Sequence, residues 1–164
     1  MANFALYAGL FVALLIALNF LSYRIMGGII RNQREQWDLN ICCGKTDGGG
    51  VNVDIVKHAE IPNLIVVDDI YNLPFTTNQF DNLLCSHTIE HVDDPTAFFD
   101  ELSRISKELT LVVPPLWDLS AVLNVFEHRW IFLTFRKEHK TLPSYIKLPF
   151  AELYQEKRGQ NIRA

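Results

Sequence analysis

The chain is predicted to be an α/β protein, a small and mostly parallel β-sheet behind one N-terminal transmembrane helix. Three observations predict this. An uncharged apolar run, Phe4 to Tyr23, is long enough to cross a bilayer. Short apolar segments recur between turn-forming residues, alternating with a period of two at Leu39-x-Ile41 and Val51-x-Val53-x-Ile55 and reading as apolar strands at Leu64–Val67, Phe80–Ser86 and Leu109–Val113. Between the last two of these lies an amphipathic helical pattern, and strand, crossover and strand in sequence argue for parallel pairing.

The 164 residues suffice for one ordinary domain and a short additional segment. Hydrophobic residues make up 49% of the chain and its net charge is -4, which excludes a disordered chain and gives no basis for nucleic-acid binding. Cys42, Cys43 and Cys85 are odd in number and lack the C-x-x-C spacing of a zinc ribbon or a redox motif. They suit a reducing compartment better than a disulfide framework.

Roughly 20 residues at about 1.5 Å each span a hydrocarbon core of about 30 Å, so Phe4–Tyr23 reads as a single-pass anchor. No basic residue precedes the run and no clear cleavage site follows it, which argues against a signal peptide. Arg24, Arg31 and Arg34 follow the span, and the positive-inside rule then places the C-terminal body in the cytoplasm. Gly27-Gly28 and the polar RNQREQ read as a juxtamembrane linker, with an interfacial helix through Ile25, Met26, Ile29 and Ile30 as the alternative.

Trp37 to Ile55 reads as strand, glycine-rich loop, strand. Gly44 and Gly48-Gly49-Gly50 permit positive φ and close approach of backbone to a ligand. Asp54, at the end of its strand, is placed to accept hydrogen bonds from ribose hydroxyls, or merely begins a turn at a flexible hairpin tip; the stretch alone supports both. Asp68-Asp69 again puts acidic groups at a strand end. Asp94 and Pro95 suit the N-cap and first position of a helix whose inner face is Phe98, Phe99, Leu102 and Ile105, with Asp100, Glu101 and Arg104 on the other face.

His87-x-x-Glu90-His91 matches a zinc-peptidase pattern that requires both histidines on one helix. A strand runs straight into it and Asp93-Asp94-Pro95 follows at once, so a helix has no room and no metal site is assigned. A third ligand has only Glu101 and Glu127 as candidates by position.

The ordered segments LNICCG, NVDI, DDIYNLPF, FDNLLCSHTIEHV, DDPTAFFDELSRI and LTLVVPP resemble the class I S-adenosylmethionine-dependent methyltransferases, in particular the short kind with a compressed first motif. The resemblance covers residues 37–115. It implies a Rossmann-like sheet and S-adenosylmethionine as cofactor, with Asn40 standing where the family often has an acidic residue. Cys42 and Gly44 would pass beneath the methionine part, Asp54 would hold the ribose, and Asp69 and Ile70 would meet the adenine. Ser86 and His87 would look onto the methionine moiety, with His87 the best-placed candidate for a catalytic base and His128 second. Glu90 and His91 would brace the loop. Cys42 occupies a family glycine position, and the helix usually found between the first two strands is replaced by KTDGGG.

Beyond Pro115 the aromatic run to Phe135 reads as ordinary core or as a surface resting on the bilayer. Arg136, Lys137, His139 and Lys140 form a basic cluster, Tyr145–Leu148 reads as a last strand, and Gln155–Ala164 as a fraying tail. The resulting organisation is an anchor over residues 1–24, a linker over 25–36, a methyltransferase-like domain with an incomplete sheet over 37–150, and a polar tail over 151–164. The function expected is methyl transfer to a membrane-proximal acceptor. The alternative is a non-catalytic subunit docking in a larger membrane protein complex.

Overall fold

The computed structural model describes residues 2–32 and 37–160. Helix α1 spans Ala2–Asn32. The sheet contains β1 (Leu39–Ile41), β2 (Val51–Asp54), β3 (Leu64–Val66), β4 (Phe80–Ser86), β5 (Ser106–Val112) and the two-residue β7 (Glu138–His139), in the order β3-β2-β1-β4-β5-β7. The first five strands pair in parallel and β7 runs antiparallel to β5. The chain order reverses between β1 and β4, the switch point at which open α/β sheets bind ligands beyond the strand carboxyl ends. β6 (Trp130–Phe132) and β8 (Tyr145–Lys147) form a separate antiparallel pair.

Helix α2 (Pro95–Ile105) is the crossover from β4 to β5. Asp94 caps it, its Oδ1 accepting from the amides of Thr96 (2.9 Å) and Ala97 (3.0 Å). Phe98, Leu102 and Ile105 are completely buried against Leu39, Ile41, Val53, Leu83 and Leu111, each contributing about 1.5–3 kcal/mol by removal from water. Glu101, placed on the outer face by the periodicity, is buried. Its Oε1 accepts from the Leu73 amide at 2.6 Å, and Arg104 bonds both its carboxylate oxygens and the carbonyls of Phe75 and Leu73. This pair fastens the loop after β3 to the crossover helix.

The opposite face of the sheet is covered in two unlike ways. Over β4 and β5, Met26 and Ile29 of α1 pack on Trp37, Leu84 and Val112. That contact carries the helix through Gly27-Gly28 to Asn32, where a linker was expected; residues 33–36 of that linker lie outside the described residues. Over β1 and β2 no helix lies among the described residues. The KTDGGG loop folds flat onto the strands and bonds to Asn40 and Asn52, the inward residues of that face. The Asn40 Nδ2 group donates to the Thr46 carbonyl (3.0 Å) and to Asn52 Oδ1 (3.1 Å), and Asn52 Nδ2 donates to Asp47 Oδ1 (3.2 Å) and to the Pro62 carbonyl (2.9 Å). The Gly48 amide donates to Asn52 Oδ1 at 3.1 Å.

The glycines are spent on this packing. A Cβ at Gly48 would come within 2.6 Å of the Asn40 side chain, and one at Gly50, where φ is +45°, within 2.4 Å of the Asp38 carbonyl oxygen. The close approach expected of them is therefore made to the chain's own first strand rather than to a ligand.

After β5 the chain forms one short helix, α3 (Leu119–Val122), capped by Asp118. The last helix, α4 (Ala151–Arg158), takes up the start of the expected fraying tail, whose residues 161–164 lie outside the described residues. It is held because buried Gln155 donates to the carbonyls of Val125 (3.1 Å) and His128 (3.0 Å), contacts that periodicity does not reveal.

Candidate functional site

A cavity of about 510 Å³ opens at the carboxyl ends of β1 and β4. Asn40, Cys42 and Gly44 line it from the first strand and its loop, Ser86 and His87 from the fourth, and His91 and His128 from later loops. A further wall is α1 itself, through Asn19, Ser22, Tyr23 and Met26, and α3 with its cap adds Asp118, Ser120 and Ala121. Two bonds fix the α1 wall. Asn19 Nδ2 donates to Asp118 Oδ1 at 3.2 Å, and Lys137 Nζ donates to Ser22 Oγ at 2.6 Å. Burial lowers Lys137 to about 8, with Asp118 and Glu90 pulling the other way. A larger groove of about 740 Å³ beside β8 and α4 holds none of the residues singled out from the sequence.

Of the eight residues predicted to form a site, Asn40, Cys42, Gly44, Ser86 and His87 meet at this cavity, whereas Asp54, Asp69 and Ile70 do not line it. Asp54 is buried next to it and is already engaged. Its Oδ2 accepts from the Gly44 amide and its Oδ1 from the Ile55 amide, both at 2.8 Å. Asp69 is exposed and turns its Oδ1 back to the Tyr71 amide at 2.8 Å, while Ile70 packs on the core.

Cys42 adopts φ 51°, the left-handed region that a glycine enters without steric cost, as does His87 at φ 53°. Both residues sit where a strand must turn sharply away from the sheet. Burial, then the nearby Cys85 and Asp54, push the Cys42 thiol well above its ordinary range, and burial with Asp54 raises Cys43 to about 11. Cys85 is pushed up as well, chiefly by burial. All three cysteines are free and protonated at neutral pH, so this region offers no thiolate nucleophile.

Ser86 Oγ and His87 Nε2 are buried without a hydrogen-bond partner. Polar atoms left in this state at a cavity wall are the feature expected where a ligand completes the bonding. His87 Nδ1 lies 3.1 Å from Glu90 Oε1, close enough for charge attraction but not aligned as a hydrogen bond. Burial opposes ionisation of Glu90, yet His87, and then His91 and His128, outweigh it and lower its carboxyl to about 2. His128 is lowered to about 4, chiefly by burial, which the Glu90 charge only partly offsets.

Sequence reasoning missed the approach of α1 and the arrival of His128 beside the His87–His91 turn. His128 was named only as a secondary base, and nothing local to residue 128 signals a partner 37 positions away. His87, Glu90 and His91 lie in turn structure, as the strand running into them and Pro95 after them dictate.

A family model for a methyltransferase domain matches residues 46–113. Among solved structures, a SAM-dependent methyltransferase from Aquifex aeolicus is 20% identical, with a TM-score of 0.38, covering 47% of this chain and 55% of its own. A SAM-dependent methyltransferase from Thermotoga maritima, described as a possible histamine N-methyltransferase, is 20% identical with a TM-score of 0.41, covering 60% of each chain. One from Methanosarcina mazei is 16% identical with a TM-score of 0.42, covering 74% of this chain and 77% of its own. The chain thus spans less than two thirds of the first two. Among curated proteins none matches significantly. With the strand order and the matched segment together, the fold is an α/β Rossmann-like, S-adenosylmethionine methyltransferase-like fold. Its N-terminal helix is long and apolar enough to cross a membrane: within Phe4–Ile29 an 18-residue window has mean hydropathy 2.3 and none of that window is buried.

Proposed function

We propose that the chain is a membrane-anchored, S-adenosylmethionine-dependent methyltransferase whose cavity faces an acceptor at the bilayer surface. The observation that carries this reading is the cavity at the β1/β4 switch point, with Ser86 Oγ and His87 Nε2 unpartnered in its wall. The cofactor would supply an electrophilic methyl on a sulfonium. The protein's part is to align a nucleophile with it, a matter of proximity and orientation. In this reading Gly44 and Cys42 bound the methionine end, Ser86 donates or accepts at its polar atoms, and His87 is placed to take a proton from the acceptor. Asp54 reaches ribose hydroxyls by exchanging its Gly44 and Ile55 contacts for them. Asp69 and Ile70 approach the adenine only if the loop that Glu101 and Arg104 fasten moves toward the cavity.

Membrane geometry supports a surface-bound acceptor. From Asn19 onward α1 is committed to the domain, leaving Phe4–Leu18, about 22 Å of helix, for a hydrocarbon core of about 30 Å. The shortfall is met if the domain settles into the headgroups on the α3 side, where Leu119, Leu123 and Phe126 are 39%, 55% and 50% exposed. Arg24, Arg31 and Arg34 orient the domain to the cytoplasm.

A second reading, a non-catalytic methyltransferase-like subunit of a larger membrane complex, is favoured by Cys42 in place of glycine at φ 51° and by the existing engagement of Asp54. Calorimetric titration of the full chain in detergent with S-adenosylmethionine and its demethylated product separates the two. Saturable binding that weakens at least roughly tenfold in Asp54→Asn supports the enzyme, since a lost ion-dipole bond to a hydroxyl is worth about 1.5–3 kcal/mol. Asparagine is preferred to alanine because it keeps an acceptor for one of the two amides. A folded chain that binds neither ligand, or binds them equally well in Asp54→Asn and Ser86→Ala, ends the enzyme reading.

A further inference from the structure

We propose that Glu90, His91 and His128 form a binding site for a divalent transition-metal ion, zinc by the chemistry of its donors, with His91 and His128 in the wall of the same cavity and Glu90 buried behind them. One carboxylate oxygen and two imidazole nitrogens lie within 4.8 Å of one another, drawn from the turn after β4 and the loop before β6. Two imidazoles and one carboxylate are a donor set used by zinc sites that keep a fourth position open.

Three further observations point to a ligand. Glu90 is completely buried, and neither of its oxygens has an aligned donor. His128 is 5% exposed and its Nδ1 is buried without a partner. His91 Nδ1 lies 3.0 Å from the Glu127 carbonyl oxygen, which can only accept. The proton is therefore on Nδ1, and Nε2 presents its lone pair, the arrangement by which an outer hydrogen bond orients a metal-binding histidine.

The backbone around the three donors is clamped independently. Gln160 Nε2 donates to the carbonyls of His91 (2.9 Å) and Glu127 (2.7 Å), and Gln155 Nε2 to that of His128 (3.0 Å). The tail of the chain thus holds both loops in register, which is what a preorganised site requires. This set differs from the helical pattern suggested by His87-x-x-Glu90-His91, because His87 sits against Glu90 Oε1 from the side and the third donor comes from another loop.

The competing account is that His87, 3.1 Å from Glu90 Oε1, alone satisfies the buried carboxylate. The two are separated with untagged full-length protein in detergent, stripped by chelator and titrated with Zn²⁺, and with Co²⁺ as a spectroscopic probe. Stoichiometric Zn²⁺ and a tetrahedral Co²⁺ spectrum are expected, with affinity falling roughly a hundredfold or more in His91→Ala and in His128→Asn but not in the β7 control His139→Ala. Circular dichroism checks that the metal-free variants fold. If His128→Asn does not fold, the partly exposed His91 and the isosteric Glu90→Gln carry the test, in which Zn²⁺ should raise the melting temperature of the native chain only. Absence of stoichiometric binding, or binding indifferent to these substitutions, overturns the proposal in favour of the His87–Glu90 pair. Methyl-donor binding is measured separately, so either reading can fail without the other.

Discussion

Asn40 lies at the centre of the bonds that hold the glycine loop, and its network predicts that an acid in its place will harm this protein. The Asn40 Nδ2 group donates to two acceptors, the Thr46 carbonyl and Asn52 Oδ1, and the direction of each bond is set by groups that cannot donate in return. Asn52 Oδ1 is fixed as an acceptor because it also receives the Gly48 amide, while its Nδ2 serves the Pro62 carbonyl. In Asn40→Asp both donations vanish and a carboxylate faces two oxygens at a site only 3% exposed. Two lost bonds cost about 1 kcal/mol each, and leaving their acceptors and a new charge unsatisfied adds more, so a loss of about 3–5 kcal/mol is expected at pH 7. That is a large part of an ordinary domain's stability of about 5–15 kcal/mol. Burial would raise the new carboxyl above its unfolded value, so its cost applies above that value and fades as acid restores one donor. Urea denaturation of the full chain in detergent, followed by tryptophan fluorescence at pH 7 and pH 5, measures both effects. A variant within about 0.5 kcal/mol of the native chain, or a penalty that does not shrink with acid, would refute the view that the loop is held by this asparagine pair.

Two other predictions concern titration and the anchor. In the metal-free chain His128 is lowered to about 4 from its ordinary 6.5, chiefly by burial, so the unfolded chain takes up the proton first as pH falls between those values. Stability should therefore be complete above about pH 6.5 and decline toward pH 4 by up to about 3 kcal/mol, with the slope abolished in His128→Gln; an identical slope in that variant would exclude His128 as its source. Glu90, which faces His128 together with His87 and His91, is lowered to about 2, so its contribution is lost only at more acid pH, between about 4.5 and 2. Removing residues 1–18 should leave the domain intact, whereas removing 1–31 should cost at least about 2 kcal/mol by uncovering the Trp37, Leu84 and Val112 patch that Met26 and Ile29 protect. Equal denaturation midpoints for the two truncations would mean that α1 is only a tether.

Local chemistry was enough to specify much of this protein from its residues alone. Short apolar runs placed the parallel strands, Asp94-Pro95 placed the start of α2, and Phe98, Leu102 and Ile105 named its buried face. The uncharged run after Phe4 marked the only described helix able to cross a bilayer. These features are legible because each is decided by neighbours within a few positions. The resemblance to methyltransferases, rather than local chemistry, named Asn40, Cys42, Gly44, Ser86 and His87, which the switch point gathers.

Tertiary structure decided the rest, wherever a group's environment is supplied by distant chain. Glu101 looks like a solvent-facing charge until the Leu73 amide and Arg104 enclose it. Gly48 and Gly50 look like a ligand loop until Asn40 and the Asp38 carbonyl fill the space their missing side chains leave. Gln155 and Gln160 look like a polar tail until the carbonyls of Val125, His128, His91 and Glu127 meet them. The cavity itself needed α1 folded back against β4 and β5. A periodicity records which residues share a face, but not which distant surface will cover that face, and here that surface is α1.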